Sequence, residues 1–208
     1  MNATLTQTYS PLAYVIKCLI DSRVPTNEGF YKLIDVTAPE GTVVNAVSPV
    51  GVVGGWEVAM RLCDLSFRIF SDAMPNKVMA STKSINCHMA CGGLDPRTLE
   101  QYAFIETLCG GYGARPTKDG MDAVQSQIQN TENSAIEETE NNYPMRITRY
   151  ELLPDSEGPG RYRGGLGVRR DWKFVDHEAT LTIFSDNRKF APWGLFGGGS
   201  GASSSGPP

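Results

Sequence analysis

Glycine and proline divide the second half of this chain into short runs, and this spacing limits the possible folds. The 208 residues include 22 Gly and 13 Pro, most of which stand between short strand-like stretches. Neither residue suits the interior of a helix or a central strand, because Gly loses the most backbone entropy on folding and Pro has no N–H to donate. The pattern therefore predicts a β-rich second half with many turns.

The N-terminal third carries two helical patterns. Apolar residues at helical spacing over 10–22 predict a helix that begins with Ser10 as N-cap and Pro11 in its first turn. A longer pattern over 54–73 places apolar residues on one stripe and charged residues on the opposite stripe. The charged stripe predicts two favourable i,i+4 pairs, Glu57–Arg61 and Asp64–Arg68.

Strand-like runs bounded by turn residues fill much of the remaining chain, at 31–36, 42–46, 78–89, 101–108, 145–153, 167–175 and 179–184. Residues 109–120 contain too many Gly and Pro for a helix or a central strand and predict a loop. We therefore expect an α+β fold in which the two helices pack on mixed and antiparallel strands. The composition predicts one domain over 1–198 and a disordered Gly/Ser/Pro tail over 199–208.

Composition and charge disfavour several classes of protein. A content of 40% hydrophobic and 20% charged residues is typical of a globular domain. A net charge of -4 without a basic block argues against nucleic-acid binding. No apolar run approaches the roughly 20 residues needed to span a membrane, and the first residues do not resemble a signal peptide. Five unevenly spaced cysteines indicate reduced thiols, and we expect a cytoplasmic location.

Two short motifs allow more than one interpretation. The run Gly110–Gly113, with Arg115 after it, either cradles an anion or makes a tight turn that uses glycine for positive φ. The run Cys87–Cys91 contains His88 between its cysteines. Zinc takes four ligands, and on a strand His88 would point away from both cysteines, so buried thiols are favoured and no metal site is predicted.

Two arginines near the last glycine-rich turn form a further candidate site. Arg161 and Arg163 are two residues apart, so they would face the same side of a β-hairpin. In that position they either clamp a carboxylate or an acidic partner surface, or keep a strand edge charged and unpaired.

Four segments together resemble the B-type component of the ATP-dependent hydantoinase and 5-oxoprolinase family. They occur in order over nearly all of residues 1–198, which is more specific than any single motif. The segments are PTNEGFYKLIDVTAPEGTVVNA (25–46), ETLCGGYGARPTKDGMDAV (106–124), the block 130–170, and SDNRKFAPWGLFGG (185–198). Acetone carboxylase components resemble the same family.

The resemblance implies ATP-dependent ring opening of a small cyclic amide such as a hydantoin or 5-oxoproline. It implies a hydantoinase A-like partner that carries the nucleotide, and ATP and a divalent metal in the assembled complex rather than in this chain alone. We expect Glu106, Arg115 and Asp119 to be catalytic, with Glu106 or Asp119 activating water or orienting a cation and Arg115 stabilising negative charge. Asn130 and Asn133 are expected to position the substrate amide.

An alternative role exists for the polar residues that follow Asn133. Ser134 and Glu137 have the spacing of a capping box, so this segment either begins a helix or faces the substrate.

The chain also departs from the family pattern in ways that support a second function. Gln127 stands where the family often has His, and Gln cannot act as a base at neutral pH. The Thr-Pro that follows the family's Asn-rich turn is Ser134-Ala135 here. The chain resembles an internal section of the B-type component, without the portion that carries Asp and His motifs. The alternative to an enzyme component is therefore a truncated, non-catalytic module that binds the A-type partner.

Overall fold

The N-terminal helix begins earlier than the sequence predicts. In the computed structural model, which describes residues 1–206, helix α1 spans Leu5–Leu19 and has Thr4 as its N-cap. The Thr4 hydroxyl accepts from the Gln7 N–H, and the Gln7 side chain accepts from the Thr4 N–H. The predicted start at Ser10 was wrong, because this capping box starts the helix and Ser10 donates to the Thr6 carbonyl from inside it.

The segment after α1 forms turns where the sequence predicted two strands. Helix α2 (Glu28–Tyr31) is a single turn, and the Asn27 side chain accepts from the Phe30 N–H at its start. Thr42 and Asn45 form only an isolated bridge. The predicted strands at 31–36 and 42–46 were wrong, because local side-chain hydrogen bonds compete here with strand pairing.

Helix α3 (Gly55–Ile69) packs against α1. Their shared core contains Val15, Leu19, Cys63 and Phe67, and it continues into Val78 and Met79.

Two carboxylates of the charged stripe of α3 are buried, and the predicted ion pairs along it do not form. Glu57 is 3% exposed and Asp64 is 2% exposed, which places both carboxylates in the interior. Neither predicted i,i+4 pair forms among residues 1–206: Arg61 pairs with Asp186, and the Arg68 guanidinium lies 5.1 Å from the Trp193 ring centroid.

Both buried carboxylates hold one irregular segment, residues 80–87. Asp64 accepts hydrogen bonds from the hydroxyls of Ser81 at 2.8 Å and Ser84 at 2.6 Å. It also accepts from the Thr82 N–H. Glu57 accepts from both the backbone N–H and the side-chain amide of Asn86 at 2.9 Å.

These bonds explain why most of the predicted strand 78–89 was wrong. Its N–H groups bond to carboxylates and to loop carbonyls, so they are not free to form a ladder. Ser84 and Cys87 also have positive φ, which interrupts an extended strand. Regular pairing begins only at strand β1 (His88–Leu94).

Two antiparallel sheets make up the second half. The first has the order β2-β1-β5, with β2 at Gln101–Thr107 and β5 at Ala179–Phe184. The second pairs β3 (Met145–Leu152) with β4 (Val168–Phe174), and helix α4 (Ile136–Asn142) precedes it. The predicted α+β class is confirmed, and four of the predicted strands agree closely with β2 to β5.

The two sheets share an apolar core of Met89, Cys91, Phe104 and Met145. The period-two pattern of β1 and β2 produces it, because alternate residues face one side of a strand.

The glycine-rich C-terminal segment lies against the domain as far as it is described. The N–H groups of Gly199, Gly201 and Ala202 donate to the carbonyls of Pro159, Pro192 and Ser156. Residues 207–208 of the predicted tail lie outside the described residues, and the division of the chain at residue 198 stays a prediction. No helix within residues 1–206 has both the length and the apolar character to cross a membrane.

Replacing Asp64 should destabilise the fold strongly. Asp64→Ala leaves the buried donors of Ser81, Thr82 and Ser84 without their acceptor, and we expect the free energy of unfolding to fall by about 3 kcal/mol. Asp72→Ala is the matched control, because Asp72 is exposed just beyond the same helix. Urea unfolding of both variants measures the difference, and equal stabilities would contradict the role given to Asp64.

Candidate functional site

A large cavity opens beside the two sheets. Its volume is about 1170 Å³, above the ~300–1,000 Å³ typical of ligand sites. Glycine-rich loops around Gly110, Gly160 and Gly198 form one wall. Strands β4 and β5 form another, with apolar side chains from Trp172 and Ile183. The cavity therefore joins a backbone-rich wall to an apolar one.

The glycines of the first wall are required by close backbone packing. A Cβ on Gly111 would overlap the Gly165 carbonyl, and a Cβ on Gly165 would overlap the Met121 carbonyl. The proposed need for positive φ in the GGYG run was wrong, since among the described glycines only Gly41 and Gly197 have it. The loops are consequently locked together by their main chains.

The structure brings three of the predicted site residues into one cluster. Arg163 forms a bidentate pair with Asp122, at 2.8 and 3.1 Å. Asp119 accepts from the Arg163 N–H at 2.9 Å, and its carbonyl accepts from Arg115 at 3.2 Å. The hydrogen bond from Arg163 is the largest cause of a lowered pKa at Asp122. Of these residues, Arg115 lines the cavity.

Arg161 and Arg163 do not act as a matched pair. Their segment forms no strand, so the predicted hairpin face was wrong. Arg163 is used inside the protein by Asp122, whereas Arg161 is exposed, lies over the Tyr162 ring and lines the cavity.

A second cluster surrounds Glu106. Its carboxylate lies 3.0 Å from Nε of Arg170, and the two side chains are 2% and 0% exposed. Glu106 also accepts from the Ser134 N–H at 3.0 Å. This bond holds the turn before α4, and the helix begins after Ala135 without a side-chain cap. The capping box considered for Ser134 and Glu137 therefore does not form.

Asn133 is fixed by the same cluster. Its amide donates to the Thr107 carbonyl at 2.7 Å and accepts from the Tyr150 hydroxyl at 3.0 Å. The Arg170 guanidinium lies 4.4 Å from the Tyr150 ring centroid. Burial is the main cause that raises the pKa of Tyr150 to about 12, so the phenol stays protonated. Asn130 is exposed and belongs to neither cluster.

Lys83 is a buried cation that the sequence analysis missed. Its ammonium donates to the Leu108 carbonyl and to the Gln125 side chain, both at 2.6 Å, and the residue lines the cavity. Burial lowers the pKa of Lys83 from 10.5 to about 8, while the charges of Cys87, Cys109 and Glu57 act in the opposite direction. Lys83 sits within a run of polar residues, so nothing in its sequence context distinguishes it from a surface lysine.

The described residues do not form a metal centre. No group of three His, Cys, Asp or Glu side chains within 1–206 converges on a common point. The divalent metal expected in the assembled complex stays a prediction.

Comparison with known proteins gives matches over nearly the whole chain. The family model for Hydantoinase B/oxoprolinase matches residues 1–206. The B-type component of a putative D-/L-hydantoinase from Pseudomonas sp. is 32% identical over 188 residues, which cover 88% of this chain and 31% of that protein. The chain spans about a third of the length of the first two curated relatives, at 35% and 31%.

Two solved structures share the fold. Acetone carboxylase, in a nucleotide-free structure, superposes with a TM-score of 0.82 at 21% identity, over 98% of this chain and 28% of its own. The ATP-dependent caprolactamase of Pseudomonas jessenii superposes with a TM-score of 0.74 at 27% identity, over 90% of this chain and 33% of its own.

The Glu106–Arg170 pair should show strong coupling in stability. Arg170→Met alone leaves a buried carboxylate unpaired and should cost about 3–5 kcal/mol. The double variant Glu106→Gln/Arg170→Met removes both charges, so it should be more stable than Arg170→Met. Urea unfolding of a double-mutant cycle measures this coupling, and additive effects would contradict it.

Lys83 should make stability depend on alkaline pH. Between pH 8 and 10.5 the folded chain binds fewer protons at Lys83 than the unfolded chain, so the free energy of unfolding should rise with pH. The slope from this group is at most about 1.4 kcal/mol per pH unit. Lys83→Met should remove this contribution, whereas Lys118→Met, at an exposed turn, should keep it. Equal slopes in thermal or urea unfolding would refute the assignment.

Proposed function

This chain belongs to the hydantoinase B/oxoprolinase family, and we propose that it is part of the B-type component of an ATP-dependent enzyme that opens cyclic amides. The cavity is the observation that carries this proposal. Backbone-locked loops, the cationic side chains of Arg115 and Arg161, and an apolar wall suit a small ring with polar carbonyl oxygens.

The names of relatives support the choice of substrate and partner. One relative is named as the B-type component of a hydantoinase, and one solved neighbour is called an ATP-dependent caprolactamase. Hydantoins and caprolactam both contain an amide within a ring. We propose a hydantoin or 5-oxoproline as substrate and a hydantoinase A-like protein as the partner that holds the nucleotide.

Resonance stabilises the ring amide, so the proposed chemistry first activates it. ATP, held by the partner, would supply the phosphoryl group that activates the carbonyl oxygen. Water then adds to the carbon that bears the phosphorylated oxygen, the ring C–N bond breaks as the nitrogen takes up a proton, and hydrolysis of the resulting acyl phosphate releases inorganic phosphate. Arg115 stabilises the negative charge on the phosphoryl oxygens during these steps. Arg161 at the exposed rim attracts the activated, anionic substrate.

The other predicted site residues make contacts within the protein. Glu106 neutralises Arg170, and Asn133 holds its loop on β2 and β3. Asp119 orients Arg115 through its carbonyl. The catalytic roles expected for Glu106 and Asp119, and the substrate contacts expected for Asn130 and Asn133, stay predictions.

A second candidate function is a non-catalytic module that binds the A-type partner. The placement of Gln127 favours it. The Gln127 amide donates to the buried Asp64 carboxylate, and its oxygen accepts from Thr82 at 3.4 Å. Gln127 thus helps to hold the buried Asp64 carboxylate at the position where the family often has His.

Activity of the assembled complex separates the two candidates. The full chain would be co-expressed with an A-type partner, and ATP-dependent hydrolysis of hydantoin and 5-oxoproline would be measured. We expect Arg115→Ala to lower kcat roughly 100-fold, the typical cost of losing one donor to negative charge in the transition state.

Arg149→Ala is the matched control, because Arg149 is an exposed arginine of β3 outside the cavity. It should keep full activity. A stable complex without turnover favours the assembly module, and full activity of Arg115→Ala contradicts the role proposed for Arg115.

A further inference from the structure

Two arginines of the cavity wall carry charges that no acidic side chain balances. Four arginines line the cavity, and two of them, Arg169 and Arg170, are paired with neighbouring carboxylates. The other two, Arg115 and Arg161, form no ion pair within residues 1–206. Their charge is therefore available to an anionic ligand.

These two arginines stand on different loops. Arg115 belongs to the glycine-rich loop over 110–124, and Arg161 belongs to the loop over 158–167. Two charges bind one anion well only when they are held at a fixed separation. Their relative position therefore depends on the contacts that join the two loops.

Asp122 joins the loops through Arg163. Its carboxylate accepts two hydrogen bonds from the Arg163 guanidinium, at 2.8 and 3.1 Å, and one from the Leu166 N–H at 2.7 Å. The bond from Arg163, followed by that from Leu166, lowers the pKa of Asp122, so the carboxylate stays ionised at neutral pH. The side chains of Asp122 and Arg163 are 31% and 37% exposed, so the pair contributes modestly to stability, but its bidentate geometry fixes orientation.

The same contact brings the two unpaired arginines close together. The Arg163 N–H donates to the Asp119 side chain at 2.9 Å, and the Asp119 carbonyl accepts from the Arg115 guanidinium at 3.2 Å. Arg161 precedes Arg163 by two residues, so their Cα atoms are separated by at most roughly 7 Å. An extended arginine side chain covers a similar distance. Both guanidinium groups can therefore reach one small anion.

We propose that Asp122 is a positioning residue, which clamps Arg163 and so holds the two loops where Arg115 and Arg161 bind one phosphoryl group together. The inference rests on the proposed function for the source of that group, the activated ring carbonyl. It extends the role of Arg161 from attraction of the substrate to direct contact. Asp122 itself touches neither the ring nor the phosphoryl group.

Binding of inorganic phosphate tests this site without turnover. Phosphate would be titrated calorimetrically into the full chain. Arg115→Ala and Arg161→Ala should each weaken binding roughly 10-fold, the effect of one lost hydrogen bond between charged groups.

The sign of the effect at Asp122 distinguishes positioning from simple charge. Asp122→Asn removes a negative charge and releases Arg163, so attraction between charges alone predicts tighter phosphate binding. Loss of the clamp predicts weaker binding instead, by a factor similar to that of losing one arginine. We expect weaker binding.

Two further variants separate geometry from charge. Arg163→Lys keeps the positive charge but cannot form the bidentate pair, so it should weaken phosphate binding as Asp122→Asn does. Asp171→Asn is the matched control, because Asp171 also pairs with an arginine of the cavity wall, but both residues of that pair belong to β4. It should bind phosphate at least as tightly as the unaltered chain does.

A double variant excludes a general loss of structure. Arg161→Ala leaves one arginine at the site, so Asp122→Asn has no pair left to align. Adding Asp122→Asn to Arg161→Ala should therefore weaken binding by less than the product of the two single effects, whereas independent effects would multiply. Circular dichroism of each variant ensures that only folded chains are compared.

The outcomes separate this inference from the proposed function. Weaker phosphate binding in both Asp122→Asn and Arg163→Lys supports the site even if the assembled complex shows no turnover, a result that overturns only the ring-opening function. Unchanged or tighter binding in Asp122→Asn overturns the role of Asp122, whatever the turnover. Absence of phosphate binding to the unaltered chain overturns the two-arginine site.

Turnover gives an independent readout where the assembled complex is active. Asp122→Asn should lower kcat and leave the KM of the cyclic amide nearly unchanged, because the phosphoryl charge arises only after the ring has bound. A raised KM with unchanged kcat would contradict a role in holding the phosphoryl group.

Discussion

The contact between helix α3 and the segment that follows it determines where the cavity wall lies. Glu57 and Asp64 are two turns apart on the helix, and both accept hydrogen bonds from residues 81–86. A buried carboxylate is costly unless donors surround it, and the irregular segment supplies those donors. In return, the carboxylates satisfy backbone N–H groups that a strand would have paired. Lys83 and Cys87 reach the cavity because this segment is held out of the sheet.

Main-chain contacts between glycine loops fix the opposite wall. Gly111 meets Gly165, and Gly165 meets Met121, at separations that leave no room for a side chain. The Arg163–Asp122 pair spans the same two loops. Loops held by their backbones keep one conformation, and a preorganised site loses less entropy on binding. The arginines at this wall can therefore act from defined positions although they lie on loops.

The sequence predicted the parts of the fold that depend on local pattern. The sequence predicted strands β2 to β5 as short strand-like runs between turn residues. The structure confirms them, with ends that differ by one or two residues. The family resemblance was confirmed as well, since the family model matches residues 1–206. The glycines in its motifs make close backbone contacts that leave no room for a side chain. The helix start at Thr4 was missed, since Ser10–Pro11 offered an equally good local signal.

Residues whose role depends on distant partners were not predictable in this way. Asp64 reads as a surface charge until Ser81 and Ser84 are placed beside it, and the sequence gives no sign that Glu106 pairs with Arg170. Sequence spacing does not show these contacts, because they depend on how separate elements pack together. Arg170 illustrates this dependence: its guanidinium can be buried because the Glu106 carboxylate, from the other sheet, neutralises its charge. Either charge buried without the other would be costly, so the packing of the two sheets and this ion pair depend on each other.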